Sequence, residues 1–320
     1  MNNQCALIAI AKNEGRYIRE WVLYHLSIGM DRIIVYDNES TDDMPAILDD
    51  LAQKYPVTRI VWPSVQRKSP QRSAYNDAIG LAKNCEWGLF IDVDEFIVPW
   101  GHVDFSAFIS TIPSTVGAVA INWQTFGSSG VRSSNYASVI KTFTRCGGPT
   151  WMHNLHFKTL ARLSMIQEMK IHEVVLKDGD KVNSRFEPLM LSAEGHSDSV
   201  MHAGIQLNHY QSKTFEEFSQ RMSRGNANFP LGHPNHVRDD SMNRFKMLDR
   251  NDCEDDRILR FMPGLERLLA LTERPSPAAL QALPEDGHSC KQESSHSACT
   301  QASCNMGQHL PSEACTPSGP

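Results

Sequence analysis

The chain has no apolar run near the ~20 residues that a membrane-spanning helix needs, no internal repeat, and no excess of positive charge. The missing repeat excludes solenoid and propeller arrays. Lys+Arg number 31 against 37 Asp+Glu, a net charge of -6, so the basic face that a phosphate backbone requires is not expected and nucleic acid is not the partner. The 8 cysteines include no C-x-x-C pair. Cys5 and Cys85 fall in expected core elements, Cys146 in a Gly-rich loop, and Cys290, Cys299, Cys304 and Cys315 near the end, which is no disulfide framework. His288 and His296 accompany the last four without the paired spacing of a zinc knuckle. The opening MNNQCALIAIAKNE has no basic stretch, and its apolar segment is only strand-length. It reads as a first core strand and not as a signal peptide, so the expected compartment is the cytoplasm, compatible with peripheral association at the inner membrane face.

Hydrophobic residues make up 41% and charged residues 21%, enough apolar material for a sizeable core through residue 272. From residue 273 to 320 the composition turns to Pro, Ser, Gln, His and Cys, and disorder is expected there. The first half alternates strand and helix: strand Cys5 to Ala11, helix Arg16 to Ile28 with Gly29 as its cap, and strand Arg32 to Tyr36. Helix Asp43 to Ala52 follows, with Thr41 or Asp42 as N-cap and Pro45 in its first turn, then strand Val57 to Trp62, helix Ser69 to Asn84 and strand Trp87 to Ile91. Repeated β-α units predict an α/β fold with a mostly parallel twisted sheet flanked by helices. The second half is less regular, with a strand from Gly117 to Trp123 and edge or crossing strands at Lys158 to Arg162 and Lys170 to Leu176. A helix from Phe215 to Arg224 has Thr214 and Glu217 as a capping box, and one from Arg257 to Leu271 is interrupted by Pro263-Gly264.

Ligands of such sheets bind at the carboxyl ends of the strands. Polar clusters fall at those ends: Lys12-Asn13-Glu14, Asp37-Asn38-Glu39-Ser40, and Asp92 to Glu95 in FIDVDEFIVPW. Three carboxylates this close raise one another's pKa unless a cation or a donor network offsets them. Hard divalent ions such as Mg2+ and Mn2+ take such oxygen ligands and commonly bridge to diphosphates. Arg67, Lys68 and Arg72 form a basic cluster that could approach a diphosphate or simply face solvent.

The ordered blocks AIAKNEGRYIREWVLYHLSIGMDRIIVYDNESTDD, QRSAYNDAI, WGLFIDVDEFIVP, NWQTFGSSG and LNHYQSKTFEEFSQRMSRG resemble a glycosyltransferase of the GT-A fold. They are similar to family 2-like glycosyltransferases and to the related family 92 group, from Cys5 to Gly225. The resemblance implies a metal-dependent glycosyltransferase with a nucleotide-sugar donor, a uracil base and a glycan or glycolipid acceptor. It implies a nucleotide-sugar half at about 1–100 and an acceptor half at about 101–272. Asp92 then becomes a ribose or metal contact, Asp94 a direct metal ligand, and Asp37 with Asn38 a contact to the base. Asn13 and Glu14 would lie under the nucleoside, or cap the first helix, or do both. Gln71, Arg72, Tyr75 and Asn76 would close over the donor near DVDEF. His209 is read as a further metal ligand or a phosphate contact, with Lys213 near phosphate. Trp123 and Phe126 offer flat faces for an acceptor sugar, with Gly127 and Gly130 allowing close approach, or they belong to the core.

In this reading Mn2+ or Mg2+ bridges the donor diphosphate while an acceptor hydroxyl attacks C1, with inversion preferred on family grounds. The acidic dyad expected downstream for the base is missing. Glu95, Glu173 and His172 stay as candidates. A binding-only relative of the family is the alternative. A metal phosphohydrolase is disfavoured because the acidic motif follows the fourth strand and no Thr sits nearby. Donor sugar, linkage and oligomeric state are not legible in the chain.

Overall fold

The computed structural model describes residues 4–64, 69–225 and 234–272. Arg67, Lys68 and the segment 273–320, with its four cysteines and expected disorder, lie outside the described residues.

Along the chain, β1 (Cys5–Ala11) leads into α1 (Gly15–Ser27), β2 (Arg32–Asp37), α2 (Met44–Ala52) and β3 (Val57–Val61). Next come α3 (Pro70–Leu81), β4 (Trp87–Phe90), β5 (Glu95–Val98), α4 (Phe105–Ile109) and β6 (Val116–Thr125). The second half adds α5 (Val139–Thr142), β7 (Arg145–Cys146), β8 (Phe157–Arg162), β9 (Ile166–Met169), β10 (Val174–Leu176) and β11 (Asp180–Val182). It closes with β12 (Leu191–Ala193), β13 (His196–Ser197), β14 (Gln206–His209), α6 (Phe215–Ser223), α7 (Met242–Leu248), β15 (Cys253–Glu254) and α8 (Met262–Thr272). Among the described residues no helix is long and apolar enough to cross a membrane.

A nine-stranded sheet runs in the order β3-β2-β1-β4-β8-β6-β14-β5, with β11 also paired to β6. Five pairings in it are parallel and those of β8 and β5 are antiparallel, which gives the expected α/β class with a mostly parallel sheet. Side chains of a strand alternate between faces. Cys5, Leu7, Ala9 and Ala11 of β1 join one core with Ile18 and Trp21 of α1 and Met44 and Leu48 of α2. Ala6 and Ile8 join the other with Ala74, Tyr75 and Ala78 of α3. α1 buries Ile18, Trp21, Val22 and His25, the stripe of an amphipathic helix, and Gly29 at φ +99° ends it in the left-handed conformation.

Three expectations are corrected. β8 is not an edge strand: it lies between β4 and β6 with all of its residues buried. Its two basic residues are met inside the fold, Lys158 by Asp92 and Arg162 by Glu86. In Lys170 to Leu176 only β10 is strand, and it pairs with β9 in a hairpin off the main sheet. Pro263-Gly264 does not interrupt a helix. A 3-10 turn at Arg257–Phe261 precedes α8, and Pro263 sits in the first turn of α8, where a missing N–H costs little.

Candidate functional site

The carboxyl ends of β1, β2 and β4 gather on one side because these strands are parallel, and Ala11 lies beside Asp37. Beyond β4, Asp92 to Glu95 form a tight turn in which Glu95 N donates to Asp92 O at 3.1 Å. Asp92 N donates in return to Glu95 Oε2 at 2.8 Å. The Lys158 ammonium, 0% exposed, donates to Asp92 Oδ2 at 2.8 Å and stands 3.8 Å from Glu95 Oε2. Gln71 Nε2 of α3 donates to the other oxygen of Asp92 at 2.7 Å and to Tyr75 OH at 3.0 Å. Burial would raise the Asp92 carboxyl, but Lys158 holds it below the usual carboxylate range. Glu95 is fully buried, and that burial pushes its carboxyl well up against the opposing pull of Lys158. Its Oε1 finds no partner among the described residues. The turn therefore carries an Asp92–Lys158 ion pair beside Glu95, whose charged form burial disfavours.

Asp94 faces other cations. The antiparallel register of β14 against β5 sets His209 opposite Glu95 and brings His209 Nε2 to 3.5 Å from Asp94 Oδ2. Arg221 of α6 donates to the same oxygen at 2.8 Å. Tyr210 N ties down the Asp94 carbonyl at 2.9 Å. Burial opposes ionisation of Asp94, yet His209, Arg221 and Lys213 together pull it well below the carboxylate range. Burial also lowers His209 from the ordinary imidazole value, and its Nδ1 has no partner.

Next to Arg221 opens a cavity of about 360 Å³ whose wall includes Asn13, Arg16, Lys213, Glu217 and Arg224. Arg224 binds Glu14 at 2.8 Å and the Asn13 carbonyl at 2.9 Å, so α6 is clamped to the end of β1. Burial raises the Glu14 carboxyl in spite of Arg224. Tyr17 OH donates to Glu217 Oε1 at 2.6 Å, and Tyr136 OH donates to the same oxygen. The capping box expected at Thr214 and Glu217 is present and starts α6 at this wall.

Other expected site residues are committed elsewhere. Asn13, at φ +55°, accepts from Thr41 N through Oδ1, and it is Asp42 Oδ2 that accepts from Gly15 N at the start of α1. Neither Asn13 nor Glu14 caps that helix with its side chain. Asp37 accepts from Ser40 N and pairs with Arg59 at 3.2 Å, and Asn38 donates to Trp62 O and Ser64 Oγ. Arg72 pairs with Glu168 of β9, while its neighbour Gln71 reaches Asp92. Asn76 bonds Met169 of β9. Glu173 accepts from Gly195 N and lines a separate, small cavity with Ala118, Thr159 and Val174. Phe126 is fully buried against Tyr210 and offers no face to a sugar. A Cβ on Gly127 would stand 2.3 Å from Arg250 O, so its close approach is to the chain and not to a ligand.

His172 donates through Nδ1 to Phe157 O at 3.0 Å. Burial, helped by Lys158, lowers it to about 3, so Nε2 keeps its lone pair. Trp123 is only 7% exposed, stacked on His156 at 4.5 Å and lying 4.1 Å from His209. His196 meets His156 at 3.9 Å, and His202 Nε2 lies 3.1 Å from Trp123 O. These histidines come from distant segments, and no spacing in the chain groups them. Lys158, Arg221 and Arg224 were also not singled out. Glu217, Arg221 and Arg224 do share one helical face by their spacing, and that signal could have been read.

Among the described residues no three His, Cys, Asp or Glu side chains converge on a metal position. Two do approach each other, Asp94 Oδ2 and His209 Nε2. Neighbouring ligands of an octahedral ion with bonds of about 2.1 Å lie about 3 Å apart. The pair needs only a small adjustment and the release of one Asp94 lone pair by Arg221. Two protein donors suit a hard ion that draws its other ligands from phosphate and water.

The family model of glycosyltransferase family 92 matches residues 9–245. A family 92 protein of Ricinus communis is 27% identical over 237 residues, 73% of this chain and 40% of its own length. One from Oryza sativa subsp. japonica is 27% identical over 66% of this chain and 34% of its own, and one from Arabidopsis thaliana 26% identical over 68% and 36%. The chain thus spans well under half the length of these relatives. Among solved structures, S. aureus TarS 1-349 is similar with a TM-score of 0.35 at 19% identity, over 51% of this chain and 48% of that one, a likeness too slight to bear on function.

Proposed function

The chain belongs to glycosyltransferase family 92, and from that membership and the site we propose that it transfers a sugar from a nucleotide-sugar donor, UDP-linked, to a glycan or glycolipid acceptor. The observation that carries the reading is the meeting of Asp94 with His209 beside the basic cavity at the end of β1.

Asn13, which lines the cavity, with Glu14 beside it, would position the nucleoside. Arg16, Lys213 and Arg224 supply fixed positive charge to the diphosphate oxygens. Asp94 and His209 would hold Mn2+ or Mg2+, with Asp92 beside them. When bound, the ion neutralises charge growing on the diphosphate leaving group. Arg221 would turn from Asp94 toward phosphate. Trp123, packed on His156 and His209, would bound the site on the acceptor side. Of the three candidates for the base, Glu95 is fully buried and Glu173 lines another cavity. We retain His172 to take the acceptor proton as the hydroxyl attacks C1 with inversion, a role that requires its basicity to rise from about 3 when donor and acceptor bind.

Thermal unfolding with UDP, with and without Mn2+, tests the donor site. At one hundred times Kd a ligand stabilises by about 2.7 kcal/mol, or about 5–11 °C in a domain of this size. The expected rise needs both UDP and Mn2+ and is lost in Asp94→Asn. A rise that ignores Mn2+ and survives Asp94→Asn would remove the ion from the mechanism. No rise with any nucleotide would remove the donor site.

Lys158 and Arg221 already offset Asp92 and Asp94, which favours a second reading, a relative that binds a nucleotide sugar without turnover. Release of UDP from the sugar nucleotide in the presence of acceptor extract separates the two.

A further inference from the structure

A second cavity, of about 390 Å³, lies on the other side of Arg221. Its wall includes Gln211, Arg221, Arg238, Arg244 and Asp239. A volume of this order admits a sugar-sized ligand. The arginines are held in place by packing: Phe218 and Met222 of α6 and Phe245 and Leu248 of α7 form an apolar cluster of their own. Arg221 projects from α6, Arg244 from α7, and Arg238 from the segment just before α7.

The charges here are unbalanced. Arg221 is met by Asp94, but neither Arg238 nor Arg244 forms an ion pair among the described residues. Among the described residues the side-chain hydrogen bond of Arg244 goes to the Met247 sulfur, and its charge also acts on Asp239 without an ion pair. The one acidic residue of the wall, Asp239, is fully exposed and accepts from Ser241 N. Burial and the neighbouring Arg221 push the Arg238 guanidinium below its ordinary value, against the pull of Asp94 and Asp92. Among the described residues two buried donors at this wall also lack acceptors. Gln211, 7% exposed, has an unpartnered Nε2, and Arg221 has an unpartnered Nε. Buried donors are rarely left unpaired without a ligand or water to meet them. Gln211 and Arg221 line both cavities, so the second one adjoins the first.

We propose that Arg238 and Arg244, with Gln211 and Arg221, bind an anionic group carried by the acceptor, so that this chain acts on a sugar bearing phosphate or carboxylate. The inference rests on the donor reading above, which assigns the nucleotide to the cavity at Asn13 and leaves this one to the acceptor. Guanidinium forks match both anions in a bidentate way.

The test measures binding of glucose 6-phosphate, glucuronate and glucose to the full chain by calorimetry, with UDP plus Mn2+ titrated separately. At least one charged sugar is expected to bind about tenfold or more tighter than glucose, and which one names the anion. In Arg238→Gln/Arg244→Gln that preference is expected to vanish while UDP affinity stays within about twofold. Arg244→Gln alone, at an unchanged unfolding midpoint, should lose part of it. Equal binding of charged and neutral sugars by the wild type overturns the proposal, as does a preference that survives the double substitution. UDP binding weakened as much as sugar binding would hand the arginines to the donor and overturn the acceptor assignment. If UDP fails to bind at all, the donor reading falls alone, and the sugar preference still decides whether the anion site exists.

Discussion

Lys158→Met removes the only cation that the structure places on Asp92 and Glu95 among the described residues. The ammonium is fully buried in the middle of the sheet, while the Asp92 carboxylate it meets is 35% exposed, so solvent screens the pair from one side only. Met keeps most of the volume, so the substitution tests charge more than packing. Removing one partner of a fully buried pair leaves an uncompensated charge and costs about 3–5 kcal/mol, an upper bound here because Asp92 is partly solvated. At about 2–4 °C per kcal/mol for a domain of this size, the unfolding midpoint should fall by about 6–20 °C. The discriminating step is a double-mutant cycle. Lys158→Met with Asp92→Asn removes both members of the direct ion pair and should recover at least about half of the loss, because replacing both members of a buried pair is far milder than breaking it. Urea unfolding of the four proteins at one pH, followed by circular dichroism, gives the coupling. If the two single losses simply add, Lys158 and Asp92 are not paired, and the account of how the acidic turn is neutralised fails.

Other consequences are as direct. His25 is buried neutral, with a value near 3, bonding Trp21 O and Ile97 N. Its folded value lies below the unfolded one, so the unfolded state binds the extra proton as pH falls through about 6.5, and stability should drop by up to about 1.4 kcal/mol per pH unit. Urea midpoints at pH 7 and pH 5 check this, and equal midpoints would refute it. Gly127→Ala should destabilise by about 1–3 kcal/mol, since its Cβ meets backbone that has little freedom to move; an unchanged thermal midpoint would contradict the packing described. Phe126→Ala should cost about 3–5 kcal/mol in chemical denaturation, as a core residue does; a loss of acceptor binding at full stability would restore it as a sugar platform. Thr214→Ala should cost about 0.5–2 kcal/mol and, by loosening the start of α6, weaken UDP binding through Arg221 and Arg224. Calorimetry against the wild type reads the second effect, and full UDP affinity at reduced stability would detach the cap from the site.

The sequence by itself determined the β-α alternation of the first half, the mostly parallel sheet, the capping box at Thr214 and Glu217, and membership of the family. These features are carried by apolar periodicity, turn residues and contiguous blocks, all of which are local. What tertiary structure decided is how charges are shared. Lys158 sits 66 residues from Asp92, and Arg221 127 residues from Asp94. A lysine in FKTLAR reads as an edge residue until its partner is known. The QTFGSSG loop looks poised for a ligand until Asp249, Arg250 and Asn251 are seen packed on it. The two basic cavities on either side of Arg221 could be found only in three dimensions. Burying a charge is unfavourable wherever it occurs, and only the fold decides which opposite charge relieves it.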